Sequence, residues 1–131
     1  MLAVDTNVVV RFLARDDPKQ SARTGEIIYD NDIWIAKTVL LETEWVLRSV
    51  YAYSPAWIEG GLRKLSGLPQ VEVEDELDVA QALDWFAAGM DFADALHLAS
   101  SSAASGFATF DRKLASRARR LTAVDVVTPS G

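Results

Sequence analysis

Apolar residues recur along the chain in two rhythms. Five short runs read as strands: Leu2-Ala3-Val4, Asp32-Ile33-Trp34-Ile35-Ala36, Gln70-Val71-Glu72-Val73, Phe107-Ala108-Thr109-Phe110 and Val124-Asp125-Val126-Val127. The first is too short to stand at an edge and reads as a central strand. Between the runs the spacing is helical. Thr6 stands where a hydroxyl can cap the helix that runs to about Asp16-Asp17-Pro18. Pro18 suits the first turn of the next helix, which carries Ala22, Ile27 and Ile28. Thr38 predicts the cap of a longer helix reaching about Ala52. Ser54-Pro55 opens another, with Trp57, Ile58, Leu62 and Leu65 in step, before the break at Gly67-Leu68-Pro69. Asp75 to Ala88 predicts a helix with Leu77, Ala80, Leu83 and Phe86 on one face and Gly89 at its end. Phe92 to Ser105 is the most apolar helix, ended by Gly106, and Asp111 to Arg120 is the last.

Strands separated by helices imply parallel pairing with right-handed crossovers. The expected fold is α/β: one three-layer α/β/α domain over residues 1–131, with a mostly parallel, about five-stranded central sheet. Helix pairs between strands one and two, and between two and three, are additions to the simple plan. A chain of 131 residues can bury roughly two-thirds of its unfolded surface, so a core forms without staples.

Composition narrows the chemistry. There is no cysteine, which removes disulfides, thiolate metal sites and a cysteine nucleophile. No apolar run approaches the ~20 residues that span a bilayer, and no signal-peptide pattern opens the chain, so the expected location is cytoplasmic. The net charge of −6 argues against a general nucleic-acid coat protein. It leaves room for a nucleic-acid enzyme with acids in its site and bases at the rim. Arg112, Lys113, Arg117, Arg119 and Arg120 lie close together, whereas residues 72–76 are acidic.

Ligands of open parallel sheets gather at the carboxyl ends of the strands. Asp5 follows strand one and Asp111 follows strand four, and these strands suggest neighbours at a switch point. Each acid also reads simply as a helix cap. Asp94 sits among Ala93, Ala95, Leu96, Leu98 and Ala99, where an ionised carboxylate is costly unless paired or bound to a metal. Asp91 lies three residues earlier and also reads as a first-turn acid facing the helix dipole.

Glu42 and Glu44 flank the apolar stripe of Val39, Leu40, Val46, Leu47 and Val50 at similar angles, so periodicity does not choose between them. Leu41, Trp45 and Ala52 form a second stripe, suited to a neighbouring helix or to a partner with Trp45 as anchor. His97 has no serine or cysteine arrangement around it and reads as a packed or surface residue.

Converging carboxylates repel one another, and a hard divalent cation relieves the repulsion. Mg²⁺ or Mn²⁺ suits oxygen ligands, and two-metal phosphodiester hydrolysis needs neither histidine nor cysteine. The composition therefore favours hydrolysis by metal-activated water over a covalent route.

Four stretches together resemble the PIN-domain family, and most closely its VapC-type toxin ribonucleases: Val4-Asp5-Thr6-Asn7, Val39 to Arg48, Asp91 to Ala99, and Thr109-Phe110-Asp111. The resemblance implies that Asp5, Glu42, Asp94 and Asp111 are an acidic quartet for Mg²⁺ or Mn²⁺. It is the resemblance that selects Glu42 over Glu44. It also implies that Thr6 and Asn7 support the site, with Thr6 orienting the Asp5 carboxylate, and that Asp91 is an extra acid behind the ligands. Such proteins are endoribonuclease toxins, often dimeric, held in check by a small antitoxin. Arg112, Lys113 and Arg117 would suit RNA phosphates, or form a solvated helix face. Two other classes compete: a PIN-fold binding module without catalysis, and a phosphoryl-transfer enzyme with Asp5 as nucleophile. The intact quartet argues against the first, and the lack of a second acid beside Asp5 against the other.

Overall fold

Asp5 caps the first helix, two residues past the end of the first strand. The computed structural model describes residues 1–129. The chain divides into two compact units, 1–76 and 77–131.

In the first unit, β1 (Leu2–Ala3), β2 (Ile33–Ile35) and β3 (Val71–Val73) form a parallel sheet in the order β1-β2-β3. Leu2 pairs with Ile33, and Ile33 in turn with Val71. The middle strand is therefore β2, the apolar Ile-Trp-Ile run, and not the first strand as expected. Its Ile33 and Ile35 are fully buried. Around the sheet lie α1 (Thr6–Ala14), α2 (Pro18–Tyr29), α3 (Lys37–Ser49) and α4 (Pro55–Ser66). They bury Val9 and Phe12, Ile28, Leu40 and Leu47, and Ile58 and Leu62 respectively.

Two caps differ from expectation. Asp5, still extended at φ −92°, is the cap of α1, and its carboxylate accepts the Val8 N–H at 3.1 Å. Thr6 is already helical, so its hydroxyl is free for another partner. Helix α3 starts one residue before Thr38, after Ala36, which has no capping side chain. The Lys37 N–H donates instead to Glu74 Oε1 at 2.9 Å, and Lys37 Nζ pairs with Asp75 at 2.9 Å. A long-range carboxylate thus does the work expected of a local hydroxyl. By contrast, Asp17 and Ser54 cap α2 and α4 with a proline next in line, as their sequence suggests.

In the second unit, β4 (Phe107–Ala108) and β5 (Val126–Val127) pair in parallel, Phe107 with Val126. A Cβ on Gly106 would stand 2.9 Å from the Asp125 carbonyl oxygen, so this pairing needs glycine before β4. The helices are α5 (Glu76–Ala87), α6 (Phe92–Ser100) and α7 (Arg112–Leu121).

Helix α5 buries Val79, Ala82, Leu83 and Phe86. The expected face held Leu77 and Ala80, but Leu77 is 83% exposed. Both stripes have helical spacing and share Leu83 and Phe86, the latter edge-to-face with Phe92 at 5.4 Å between centroids, and tertiary packing completes the face with Val79 and Ala82.

Helix α6 stops at Ser100, five residues short of expectation. The Ser101 hydroxyl donates to the His97 carbonyl at 2.7 Å. Residues 102–105 are exposed and have no apolar side chain to bury except alanine methyls. Serine side chains there compete with the helix for backbone partners.

The α/β class with parallel strands is what the structure shows. No helix among the described residues is long and apolar enough to cross a membrane.

Candidate active site

The first unit carries Asp5, Thr6, Asn7 and Glu42. Val4 is the last buried residue of the first strand segment, and its N–H donates to the Trp34 carbonyl. The chain then turns outward, leaving Asp5 and Asn7 exposed at the start of α1. One Asp5 oxygen, Oδ1, is engaged by the cap. The Thr6 hydroxyl donates to Glu42 Oε1 at 2.5 Å. A hydroxyl has one proton to give, so Thr6 positions Glu42 and not the Asp5 carboxylate as expected.

Glu42 and Glu44 are separated clearly by the fold. Glu42 is exposed and meets the start of α1 through Thr6. Glu44 is 2% exposed and accepts a hydrogen bond from Arg48 Nε at 2.8 Å. The i,i+4 spacing of Glu44 and Arg48 signals this pair in the sequence. Trp45, on the second stripe of α3, is 54% exposed. Val50, the last member of the apolar stripe, lies past the end of the helix and is exposed.

The second unit carries Asp91, Asp94, His97 and Asp111. Asp91 caps α6, its Oδ2 accepting the Asp94 N–H at 3.1 Å. Asp94 therefore stands in the first turn beside a second carboxylate. Partial burial pushes the Asp94 carboxyl above the usual aspartate range, and the charges of Asp91 and Asp111 push it further. His97, exposed one turn on, and Arg117 of α7 oppose the shift. Asp111 caps α7, with Oδ1 accepting from Lys113 and Leu114 N–H at 2.9 and 3.1 Å. Its own N–H donates to Thr109 Oγ1 at 3.0 Å. The second unit thus brings Asp94 and Asp111 within electrostatic reach of each other.

Arg112, Lys113 and Arg117 are all exposed on α7. They do not share a face. Arg112 and Arg119 lie i,i+7 on one flank, and Lys113, Arg117 and Arg120 lie roughly a third of a turn round on the other. The buried stripe of Leu114, Ala115 and Ala118 occupies the remaining side.

The donor chemistry fits a hard cation. Every candidate ligand is a carboxylate, each cap uses one oxygen, and Asp94 carries a repulsion that a divalent ion would relieve. Among the described residues, no three His, Asp or Glu side chains form a group that could hold a metal ion as placed. What stands in the structure is a Thr6–Glu42 pair beside Asp5, and an Asp91–Asp94–Asp111 field.

The family model for the PIN domain matches residues 2–120 of the chain. No curated protein and no solved structure matches it.

Proposed function

The chain belongs to the PIN-domain family, a nuclease fold, and from that premise we propose that it is a Mg²⁺- or Mn²⁺-dependent endoribonuclease acting as the toxin of a toxin–antitoxin pair. The observation that carries the proposal is the family match, whose span contains Asp5, Glu42, Asp94 and Asp111. These four are the proposed metal ligands and catalytic residues. The bound ion would supply an activated water and neutralise charge on the phosphodiester.

The chain's own residues do the rest. Thr6 holds the Glu42 carboxylate in one orientation. Asp91 fixes the first turn that presents Asp94. Asn7 lies exposed next to Thr6 as a further polar contact. Arg117 brings positive charge to the flank of α7 that acts on Asp94, a placement suited to a phosphate. Lys113 extends that flank, and Arg112 offers its charge from the other flank of the helix.

The same proposal includes a single nuclease domain over residues 1–131, a cytoplasmic location, a small antitoxin partner and a homodimer. These rest on the resemblance to VapC-type toxins, and Trp45 is an exposed anchor available to a partner.

The test is cleavage of a panel of structured RNAs by purified, partner-free protein with Mg²⁺ or Mn²⁺. Asp5→Asn and Asp94→Asn are expected to abolish cleavage and keep the circular dichroism of the wild type. Undiminished cleavage by both variants overturns the ligand assignment. A wild-type protein that cuts nothing favours a binding module instead. Growth arrest that depends on Asp5 and is relieved by co-expressing the proposed antitoxin tests the toxin role.

A further inference from the structure

The outer flank of α7 carries a feature that the carboxylates do not explain. Arg112, Ala115, Arg119, Thr128 and Pro129 line a small open cleft of about 370 Å³. Arg119 is anchored there: one guanidinium nitrogen donates to the Val126 carbonyl at 3.1 Å and to Thr128 Oγ1 at 3.2 Å. A guanidinium has five N–H donors, so three remain after these two bonds. Arg112 makes no hydrogen bond or ion pair among the described residues.

Two guanidiniums on one helical line, one of them pre-oriented, line a cleft that has no carboxylate among the described residues of its lining. That is the chemistry of an oxyanion site, because arginine's planar fork matches phosphate oxygens. The helix terminus itself contributes little, since the Lys113 and Leu114 N–H groups are already taken by Asp111.

We propose that Arg112, Arg119 and Thr128 form a second phosphate subsite, which holds a backbone phosphate of the RNA strand on the flank of α7 away from Arg117. It rests on the nuclease reading for the identity of the strand. Lys113 and Arg117 serve the phosphates on the Asp94 side, and this cleft holds a phosphate further along. Arg119 is held in place by its bonds to Val126 and Thr128, and Arg112 supplies the second guanidinium.

The test measures binding of a fluorescein-labelled single-stranded RNA by anisotropy, in EDTA so that no strand is cut, from 50 to 300 mM salt. Cleavage with Mg²⁺ or Mn²⁺ is scored separately. Loss of one phosphate contact lowers the slope of log K against log salt by about 0.7 for a single strand. Arg112→Gln, which leaves the Arg119 bonds to β5 in place, is expected to weaken binding several-fold and to lower the slope by about that amount. Arg119→Lys, which keeps the charge and loses the fork, is expected to weaken binding with a smaller change in slope.

Unchanged affinity and slope in Arg112→Gln overturn the subsite and leave the nuclease reading standing. Binding that depends on Arg112 without any cleavage overturns the nuclease reading and leaves the subsite. A wild-type protein that binds no RNA overturns the subsite as an RNA contact. Inorganic phosphate at millimolar concentration, followed by the arginine side-chain resonances, separates a free-anion site from a strand site: shifts at Arg112 and Arg119 with no effect of Arg112→Gln on RNA overturn the strand assignment.

Discussion

The Thr6 hydroxyl donates to Glu42 Oε1 at 2.5 Å, joining the first residue of α1 to the exposed side of α3. This bond makes the two helices a frame for one carboxylate. Among the described residues, Asp5, the neighbouring acid, is bonded to the backbone of its own helix.

Removing the hydroxyl tests that frame. Thr6→Val keeps the shape and deletes the donor, so Glu42 loses its fixed orientation. Outer-shell partners of metal ligands are commonly worth about 10- to 100-fold in metal affinity or activity. The expected result is a rise of about tenfold in the Mg²⁺ or Mn²⁺ concentration for half-maximal cleavage, with Thr6→Ser close to wild type. A metal titration of both variants checks it.

Glu42 and Glu44 are expected to fail differently. Glu44→Gln weakens a charge-assisted bond at a buried position, and Arg48 is half exposed, which limits the loss. A destabilisation of about 1–2 kcal/mol is expected, read from the urea midpoint, with cleavage per folded molecule retained. Glu42→Gln is expected to do the reverse: a near-normal midpoint and lost cleavage.

Asp94 is partly buried and stands in the field of Asp91 and Asp111, so its negative charge opposes folding when no cation is present. Asp94→Asn is therefore expected to melt at a higher temperature than wild type in EDTA. Adding Mn²⁺ is expected to raise the wild-type melting temperature and to move the variant less, because a ligand stabilises only the state that binds it. Equal shifts in both proteins would remove Asp94 from the metal site.

Tyr51 offers a pH test away from the carboxylates. Partial burial raises its phenol above the ordinary value, and a hydrogen bond to Asp16 adds to the effect. The folded state then holds the proton more tightly than the unfolded chain. Stability from this group is complete below the unfolded pKa of about 10 and is lost as pH rises through the folded value. Tyr51→Phe is expected to flatten the loss of stability above pH 10 in chemical denaturation. An unchanged alkaline limb would show that the phenol does not contribute to it.

Much of the fold is legible in local pattern. Proline after Asp17 and after Ser54 marks two helix starts, and alternation of strand and helix marks the parallel α/β class. These features depend on residues within one turn of each other. The family resemblance likewise needs only the order of short motifs around Asp5, Glu42, Asp94 and Asp111.

What tertiary structure alone decided are the choices between equivalent local patterns. A helical wheel sees Glu42 and Glu44 as equals. Only the packing of α3 buries Glu44 beside Arg48 and turns Glu42 to Thr6, which lies far away in sequence. The cap of α3 comes from Glu74, beyond any local window. The same limit hid the exposed Leu77 and the early end of α6. In each case two local patterns had similar energies, and contacts from distant parts of the chain broke the tie.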